Sequence, residues 1–579
     1  MVSESKFEMP GDSSKLGEKL LGVIPSLRNA HQSDTKARSS VATYLLGLAL
    51  VNSLTRLCVI AILAALCGTS VLFLLNTGGK AAENHTYDAM IGVFFIALLL
   101  IYRAAKNYLI KTVASEVEQA LDRQRQRLVE KTLSLSLRNI EEVGRDRIRD
   151  GLAGHYISLS QTIVPLISGF ESLILLVFIF GYVLYLSLYG AAIAIFVVGL
   201  LIISYLNRQI LMASELKTSD QADAQYRRLT DAIVGGAKEL QLSSARRSAM
   251  KNIMRSVSTT VAKARILSAQ HFAEMITTGT TASYLMAGSV VFILPLIGTD
   301  KDMSQLVIAI VFLLGPISCV LQTLQQITLA QFALSSINEF EEEISERYTN
   351  LQKDTELGNV NFEFKPFQNI NLKSIGYTHA GSNGFSVQNI DLKIEKGEVV
   401  FLTGGNGSGK TTLLNILTGL YPRASGGIFV NEQELPIVTP QEFRELFASV
   451  FSDFFMFDQP FGLDEQGMEI FEKWLTILKV RDQFTGDIHE LGKVELSTGQ
   501  RKRVALALAL AEQRPILILD EWAADQDPDT RRKFYEEIIP KLKSEGATIF
   551  AITHDERYFH CCDRRLHIIE GRLSEEMGN

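Results

Sequence analysis

Long apolar stretches recur through the first 335 residues of the chain, and the composition changes sharply after them. Residues 57–76 hold twenty positions without a charge, and residues 172–207 hold thirty-six. A helix needs about 20 apolar residues to cross the hydrocarbon core of a bilayer, so the first stretch predicts one span and the second predicts two. Further apolar runs cover residues 89–102, 276–299 and 303–338. The pattern therefore predicts six membrane-spanning helices.

Lysine and arginine residues concentrate in two segments between these spans. Residues 103–149 and residues 208–265 each hold eleven, whereas the loops between the other span ends hold Lys80 and Lys301. Because Lys and Arg stay on the cytoplasmic side of a membrane, we predict that both segments and both chain termini are cytoplasmic. The two segments are too polar for lipid, and we interpret them as helical extensions of the spans.

The second half of the chain has the pattern of short strands and soluble helices, and it contains a glycine-rich loop. The loop follows a strand at residues 398–403 and precedes a short helix, which is the context that a Walker A loop requires. Its backbone N–H groups and the helix N-terminus would surround phosphate oxygens. We expect Lys410 to contact the β- and γ-phosphates and Thr411 to hold Mg²⁺. The loop consists of Gly404, Gly405, Asn406, Gly407, Ser408, Gly409, Lys410, Thr411 and Thr412.

A second apolar strand, residues 516–520, ends in two acids. After a Walker A loop, this arrangement predicts a magnesium ligand followed by a catalytic base. Asp520 would bind Mg²⁺, through a water, and Glu521 would polarise the attacking water. The alternative is a surface Asp-Glu pair after a buried strand, and the Walker A loop makes the catalytic interpretation the stronger one.

A pentad that begins at Leu496 lies twenty residues before the acidic strand. In this order the motifs resemble those of the ATP-binding cassette (ABC) proteins, and the resemblance covers nearly all of residues 366–579. The membrane half resembles the six-span exporter type more loosely. The resemblance implies a six-span α-helical membrane domain fused to an α/β P-loop domain. It also implies that the signature residues contact ATP; they are Ser497, Thr498, Gly499 and Gln500.

Three further residues take their roles from the same resemblance. Tyr377 occupies the position of the aromatic residue that stacks on adenine, and His554 that of the histidine that senses the γ-phosphate. Asp527 lies in the segment that would meet a partner cassette and bind nucleotide.

Two positions depart from the general ABC pattern. Ser452 stands where the family usually has glutamine, and Thr498 stands where the signature usually has its second glycine. A serine side chain is shorter than glutamine, so its direct contact with Mg²⁺ is in doubt, and Asp453 or a water is the alternative ligand.

The run that follows the base is distinctive. Residues 522–528 read Trp-Ala-Ala-Asp-Gln-Asp-Pro and closely resemble the cyclic-peptide exporters, the group that includes the pyoverdine and syringomycin transporters. The serine at position 452 fits the same group. Trp522 would wall off one side of the hydrolytic site, and simple core packing explains it equally well.

One cassette without an internal repeat implies a half-transporter. In the family, ATP is clamped between the Walker A loop of one cassette and the signature of another, so we expect a homodimer with two equivalent sites. The predicted divisions are an N-terminal extension (residues 1–40), a transmembrane domain (residues 41–335), a linker (residues 336–365) and the cassette (residues 366–579).

The resemblance implies ATP-driven export of a cyclic or otherwise modified peptide, siderophore peptides included, across the bacterial inner membrane. Three alternatives stay open, namely import of a siderophore, flipping of a lipid, and an ATP-gated regulatory channel. Glu521 and His554 speak against the channel. The six spans exclude a soluble DNA-repair or translation cassette, so no nucleic-acid partner is expected, and the partners are the lipid bilayer and a peptide.

Polar residues inside the spans bear on the substrate. Glu171 is expected near the inner membrane boundary, as an interfacial acid in preference to a contact for cationic cargo. In the sixth span Gln322, Gln325, Thr328 and Gln331 recur every three residues. They are interpreted as the hydrated, emerging part of a helix, with a cavity lining as the alternative.

Overall fold

The structure is a computed structural model, and it describes eight parts of the chain. These are residues 54–83, 85, 89–297, 303–357, 366–378, 386–437, 439–484 and 488–576. The predicted N-terminal extension lies outside them. The chain divides into two compact units, a helical unit (Met1–Glu130 with Asp146–Ile344) and a second unit (Lys131–Arg145 with Ser345–Asn579). The predicted domain boundaries stay predictions.

Long helices make up the first half of the chain. Short π-helical turns at Asp150–Gly154 and Ser289–Ile293 interrupt the regular α-helical pattern. The helices are α1 (Leu54–Glu83), α2 (Ala89–Leu133), α3 (Leu137–Val143), α4 (Arg145–Arg149), α5 (His155–Leu186), α6 (Leu188–Gly235), α7 (Ala237–Leu242), α8 (Ser244–Gly288), α9 (Leu294–Ile297) and α10 (Met303–Leu357).

Five helical stretches within the described residues are long and apolar enough to cross a membrane, and a shorter apolar stretch, Leu188–Ser204, begins α6. The predicted membrane-type helical domain is thereby confirmed, with five of the six predicted spans meeting this criterion and the shorter stretch lying where the fourth was predicted. The 48 residues of α6 give a length of about 72 Å at helical rise, more than twice the thickness of a hydrocarbon core. This agrees with helices that continue beyond the lipid. The five stretches are Val59–Ala81, Ala89–Leu133, Arg145–Leu186, Ser244–Ile293 and Ser304–Asn350.

Glu171 is buried in the helical unit, with 2% of its surface exposed. Its Oε1 accepts a hydrogen bond from the Tyr102 hydroxyl at 2.9 Å, and its Oε2 lies 2.8 Å from Lys106 Nζ. Glu171 is therefore a compensated carboxylate inside the helical unit, and its position near the inner membrane boundary stays a prediction. A buried carboxylate is stable when a cation and hydrogen bonds compensate its lost hydration, and here α2 supplies both to α5.

The four polar residues that recur every three positions in α10 differ in burial. Gln322 and Gln331 are exposed, Gln325 is half-buried and Thr328 is buried. The Thr328 hydroxyl donates to the Leu324 carbonyl oxygen at 3.2 Å, as hydroxyls inside helices commonly do.

The second unit is an α/β domain with two sheets. Its strands are β1 (Asn369–Thr378), β2 (Ser386–Glu395), β3 (Val399–Thr403), β4 (Ser425–Val430), β5 (Gln433–Glu434), β6 (Phe447–Val450), β7 (Ile516–Asp520), β8 (Thr548–Ile552), β9 (Arg564–Ile569) and β10 (Arg572–Glu576). Its main helices are α11 (Lys410–Leu417), α12 (Gln441–Arg444), α13 (Glu465–Ile477), α14 (Thr498–Ala511), α15 (Pro528–Lys533) and α16 (Ile539–Ser544).

The larger sheet positions the candidate site. Its strand order is β10-β9-β3-β8-β7-β6, and β9, β3, β8, β7 and β6 run parallel. Every residue of β3, β7 and β8 is buried, as expected for parallel strands covered on both faces. The smaller sheet is antiparallel with the order β2-β1-β4-β5. In folds of this kind, ligands bind beyond the carboxyl ends of the parallel strands.

Helix α3 belongs to the second unit, although the chain reaches it from the helical unit. Leu137 packs against the core of the α/β domain. The Tyr421 hydroxyl donates to Glu141 Oε2 at 2.8 Å, and burial together with this carboxylate raises the pKa of Tyr421 to about 12. Arg347 and Arg138 both pair with Glu142 and lower its pKa. An apolar anchor and charged contacts thus hold α3 within this unit.

Candidate nucleotide-binding site

The glycine-rich loop begins where β3 ends and stops where α11 starts at Lys410. Gly404 and Gly409 have φ angles of 151° and 108°, which side chains with a Cβ rarely adopt. A Cβ built on Gly404 would lie 2.5 Å from the Ile568 carbonyl oxygen. Glycine is therefore required at this point for the chain to turn closely against the sheet.

Lys410 is almost fully buried by the loop that it follows. Its Nζ donates to the carbonyl oxygens of Gly404 at 2.9 Å and Gly405 at 3.1 Å, and it lies 3.9 Å from Glu521 Oε1. Within the described residues, the buried Ser408 hydroxyl has no hydrogen-bond partner. A buried ammonium whose hydrogen-bond acceptors are neutral carbonyl oxygens, next to an unpaired hydroxyl, fits an anionic phosphate group.

A cavity of about 430 Å³ opens beside the loop. Its lining combines three separate parts of the sequence, namely the loop, the segment after β6 and the end of β7. The structure therefore brings together eight of the predicted nucleotide and metal residues with the predicted base, whereas Gly404, Gly405 and Ser408 of the loop are not among the lining residues. The lining residues are Asn406, Gly407, Gly409, Lys410, Thr411, Thr412, Ser452, Asp520 and Glu521.

Asp520 and Ser452 meet because β7 and β6 are neighbouring parallel strands. The Ser452 hydroxyl donates to Asp520 Oδ2 at 2.9 Å, and its backbone N–H approaches the same oxygen at 3.4 Å. Burial raises the pKa of Asp520, while these two hydrogen bonds act in the opposite direction. The hydrogen bonds from Ser452 thus favour the ionised form of the predicted metal ligand and oppose the effect of burial, which is a role that the sequence did not indicate.

The two predicted catalytic residues lie together at the carboxyl edge of the sheet. His554 Nε2 is 3.4 Å from Glu521 Oε1. Strands β7 and β8 run side by side and end in register at Asp520 and Ile552, which places the residues that follow them close to one another. Thr411, at the first turn of α11, lines the same cavity. The arrangement could supply a base, Glu521, with His554 beside it. Thr411 and Asp520 could supply two oxygen ligands for Mg²⁺.

Glu521 itself has a left-handed backbone conformation, with φ 51° and ψ 37°. Its carbonyl oxygen accepts a hydrogen bond from Lys502 Nζ at 2.9 Å. Sequence reasoning missed Lys502 as a residue of this site. The sequence did contain a signal for Lys502. It is a lysine at a core-facing position of an alanine- and leucine-rich helix, between the signature and Val504.

Trp522 is buried in the core and is not part of the cavity lining. Its ring packs on Phe534, with 4.4 Å between ring centroids, and its Nε1 donates to the Lys502 carbonyl oxygen at 2.7 Å. Of the two interpretations of this tryptophan, core packing is the one that agrees with its position.

The signature residues lie away from the cavity, at the start of α14. The Ser497 hydroxyl accepts from the Gln500 N–H, and the Gln500 side chain accepts from the Ser497 N–H, which forms a capping box. Thr498 is the first residue of the helix. A Cβ on Gly499 would approach the Asp525 carbonyl oxygen to 2.7 Å. Among the described residues, the four signature residues are not part of this chain's own cavity lining.

Two other predicted residues also lie outside the lining. Tyr377 is 4% exposed, and its ring stacks on Tyr421 at 5.1 Å between centroids. Its aromatic face is thus occupied by a neighbour of the same domain. Asp527 caps α15 by accepting from the Thr530 N–H at 3.0 Å, and this contact lowers its pKa.

Comparison with known proteins agrees with this geometry. Residues 387–524 match the family described as ABC transporter. The ATP-binding protein SyrD of Pseudomonas syringae pv. syringae is 30% identical over 531 residues, which cover 88% of this chain and 92% of that protein. The energy-coupling factor transporter ATP-binding protein EcfA1 of Oenococcus oeni is 31% identical over 218 residues, 36% of this chain and 78% of its own length.

A solved structure resembles both halves of the chain. It is described as a bacterial Atm1-family ABC exporter with ATP bound, and it matches with a TM-score of 0.66. The match covers 90% of this chain and 95% of the other at 17% identity. At this identity the match establishes the fold.

Proposed function

This chain belongs to the ABC transporters, and from that membership we propose that it exports a cyclic or otherwise modified peptide, siderophore peptides included. The family hydrolyses ATP with Mg²⁺ and couples this reaction to transport through a membrane. The cargo, its direction and the roles of individual residues are the parts that we propose.

The observation that carries the cargo proposal is the run at residues 522–528. It resembles the cyclic-peptide exporters in sequence, and the similarity to SyrD extends over 88% of the chain, so it includes the helical half. A cyclic peptide also loses little conformational entropy on binding, because its ring is already constrained. Such a substrate suits a helical domain with dispersed hydrogen-bonding groups.

In the proposed reaction, each residue at the cavity has one task. Lys410 and the loop N–H groups would bind the phosphates, and Thr411 and Asp520 would hold Mg²⁺, which would supply positive charge beside the transferred phosphoryl group. The hydrogen bonds from Ser452 favour the ionised form of Asp520. Glu521 accepts the proton of the attacking water, and His554, 3.4 Å away, orients its carboxylate.

We further propose that the protein acts as a homodimer. The signature residues of one chain do not line that chain's own cavity, so a second copy would supply them. Two identical chains related by a two-fold axis would then form two equivalent sites. The dimer is placed in the bacterial inner membrane, with the basic segments, both termini and the α/β domain in the cytoplasm, because Lys and Arg favour that side.

A comparison of cells tests the cargo. Cells that lack this protein should retain a modified peptide in the cytoplasm, detected by mass spectrometry of cell extract and medium. Reintroducing the unaltered protein should return the peptide to the medium or the periplasm, whereas the Glu521→Gln variant should not. A retained lipid in place of a peptide, or a siderophore that fails to enter, would replace the proposal with flipping or import.

A further inference from the structure

The distinctive run after the base packs on the helix that carries the signature. Trp522 Nε1 donates to the Lys502 carbonyl oxygen at 2.7 Å, and Gln526 Nε2 donates to the Gly499 carbonyl oxygen at 3.2 Å. Asp525 Oδ2 lies 2.7 Å from Lys502 Nζ. The run therefore contacts α14 at two successive turns.

Lys502 is the centre of these contacts, and it is buried, with 4% of its surface exposed. Its ammonium pairs with Asp525 and donates to the Glu521 carbonyl oxygen at 2.9 Å. Burying an ammonium costs free energy unless charged and hydrogen-bonding partners compensate for its lost hydration. The two contacts supply this compensation, and one of them is the backbone of the proposed base.

The left-handed backbone conformation of Glu521 requires stabilising contacts of this kind. A residue with a Cβ adopts a left-handed backbone only where its surroundings impose it. Its N–H donates to the Ile552 carbonyl oxygen at 3.2 Å, and its own carbonyl oxygen accepts from Lys502 Nζ at 2.9 Å and, more weakly, from the Ala524 N–H at 3.3 Å. The backbone on both sides of the carboxylate is thus fixed by named groups.

We propose that Lys502 is a positioning residue that joins the signature helix to the catalytic base. Its helix carries the residues that would contact the ATP of one site in the dimer, whereas Glu521 acts on the ATP of the other. A shift of α14 on nucleotide binding would move Lys502 and, through the Glu521 carbonyl oxygen, the base. This inference rests on the proposed catalytic role of Glu521.

The experiment compares full-length variants in lipid nanodiscs. Lys502→Met keeps the length of the side chain and removes its ammonium. We expect kcat to fall about 10- to 100-fold, since small displacements of a catalytic group have effects of this size. The dissociation constant of a fluorescent ATP analogue should stay within about two-fold, because Lys502 lies outside the cavity lining. Without nucleotide, hydrogen exchange at residues 521–526 should become faster.

Asp525→Asn is a milder variant with which Lys502→Met is compared. It removes the charge partner and leaves the bond from Lys502 to Glu521, so its loss of kcat should be smaller than that of Lys502→Met. Lys473→Met, at an exposed position of α13, removes a lysine elsewhere in the same domain and should change neither exchange nor kcat. If Lys502→Met does not fold, Asp525→Asn carries the test, and it must shift exchange and kcat in the same direction.

The results separate this proposal from the role of Glu521. A Lys502→Met protein with kcat within about two-fold of the unaltered protein, or with unchanged exchange at residues 521–526, overturns the positioning role. Normal turnover in Glu521→Gln, measured alongside, would instead remove Glu521 as the base. The exchange readout tests the Lys502 contact in either case.

Discussion

Two carboxylates are buried to the same extent in the two units, and they have different surroundings. Glu171 and Asp520 are each 2% exposed. Both oxygens of Glu171 are occupied, one by a tyrosine hydroxyl and one by the ammonium of Lys106. Asp520 has neutral donors from Ser452 on one oxygen, and burial raises its pKa. The first carboxylate is compensated within the fold, whereas the second lines the cavity in which we propose that Mg²⁺ binds.

The difference indicates that the two buried carboxylates have different roles. A compensated pair joins two helices and is expected to affect stability. A carboxylate with a raised pKa, in a cleft beside a phosphate-binding loop, is expected to affect chemistry. Variants at the two sites should therefore separate stability from activity.

The largest effect is expected at the base next to Asp520. Glu521→Gln should lower kcat by about 10²- to 10⁴-fold, because the amide cannot accept the proton from water. ATP binding should persist, and the closed dimer should accumulate. Single-turnover hydrolysis measures the rate, and the size of the protein in the presence of ATP measures the dimer. Near-normal turnover would contradict the assignment of Glu521 as the base.

Asp520→Asn should abolish most Mg²⁺-dependent hydrolysis while leaving the fold intact. The amide oxygen can still accept from Ser452, and no desolvated charge remains, so the thermal unfolding temperature should not fall. Titration of Mg²⁺ against ATPase activity measures the first effect. A lower unfolding temperature with preserved metal dependence would show that Asp520 is compensated as Glu171 is.

Glu171→Gln should show the opposite pattern. Loss of the carboxylate leaves Lys106 without its counter-charge and should destabilise the helical unit by about 1–3 kcal/mol, less than for a wholly buried pair because Lys106 is 34% exposed. Basal ATPase activity should change little. Glu342→Gln, at an exposed position of α10, is the matched control for unfolding in detergent. Equal stability of the two variants would contradict the compensating role.

Ser452→Ala should have the smallest effect, a shift in pH dependence. The hydroxyl lowers the pKa of Asp520, so its removal should raise that pKa further. Since Mg²⁺ needs the ionised carboxylate, the acidic limb of the ATPase profile should move to higher pH, with most activity retained above it. A profile that does not move would show that the hydroxyl leaves Asp520 unaffected, and loss of activity at every pH would indicate a direct metal contact.

The sequence predicted those parts of the site that are contiguous along the chain. The loop from Gly404 to Thr412 and the pair Asp520-Glu521 each follow a buried strand, and parallel strands bring their carboxyl ends together. The two-part fold also follows from local patterns, namely apolar runs in one half and strands of about five residues in the other.

The remainder depends on contacts between residues that are distant in sequence. Glu171 pairs with Lys106, which lies sixty-five positions earlier in the chain, so the apolar residues that flank Glu171 could not show its burial. The hydrogen bond from Ser452 to Asp520 and that from Lys502 to Glu521 likewise join separate elements. The family resemblance assigned Tyr377 to stacking on adenine. It could not show the packing of Tyr377 on Tyr421, because Tyr421 comes from another part of the domain.

Transport in sealed vesicles tests the central claim most directly. Purified protein is placed in liposomes, and uptake of a cyclic peptide is followed in the population with outward-facing ATP-binding domains, with Glu521→Gln as the matched control. The account predicts peptide-stimulated ATP hydrolysis and ATP-dependent accumulation of peptide inside the vesicles, both lost in the variant. Movement of peptide out of such vesicles, or stimulation by lipids or simple drugs and not by peptide, would contradict it.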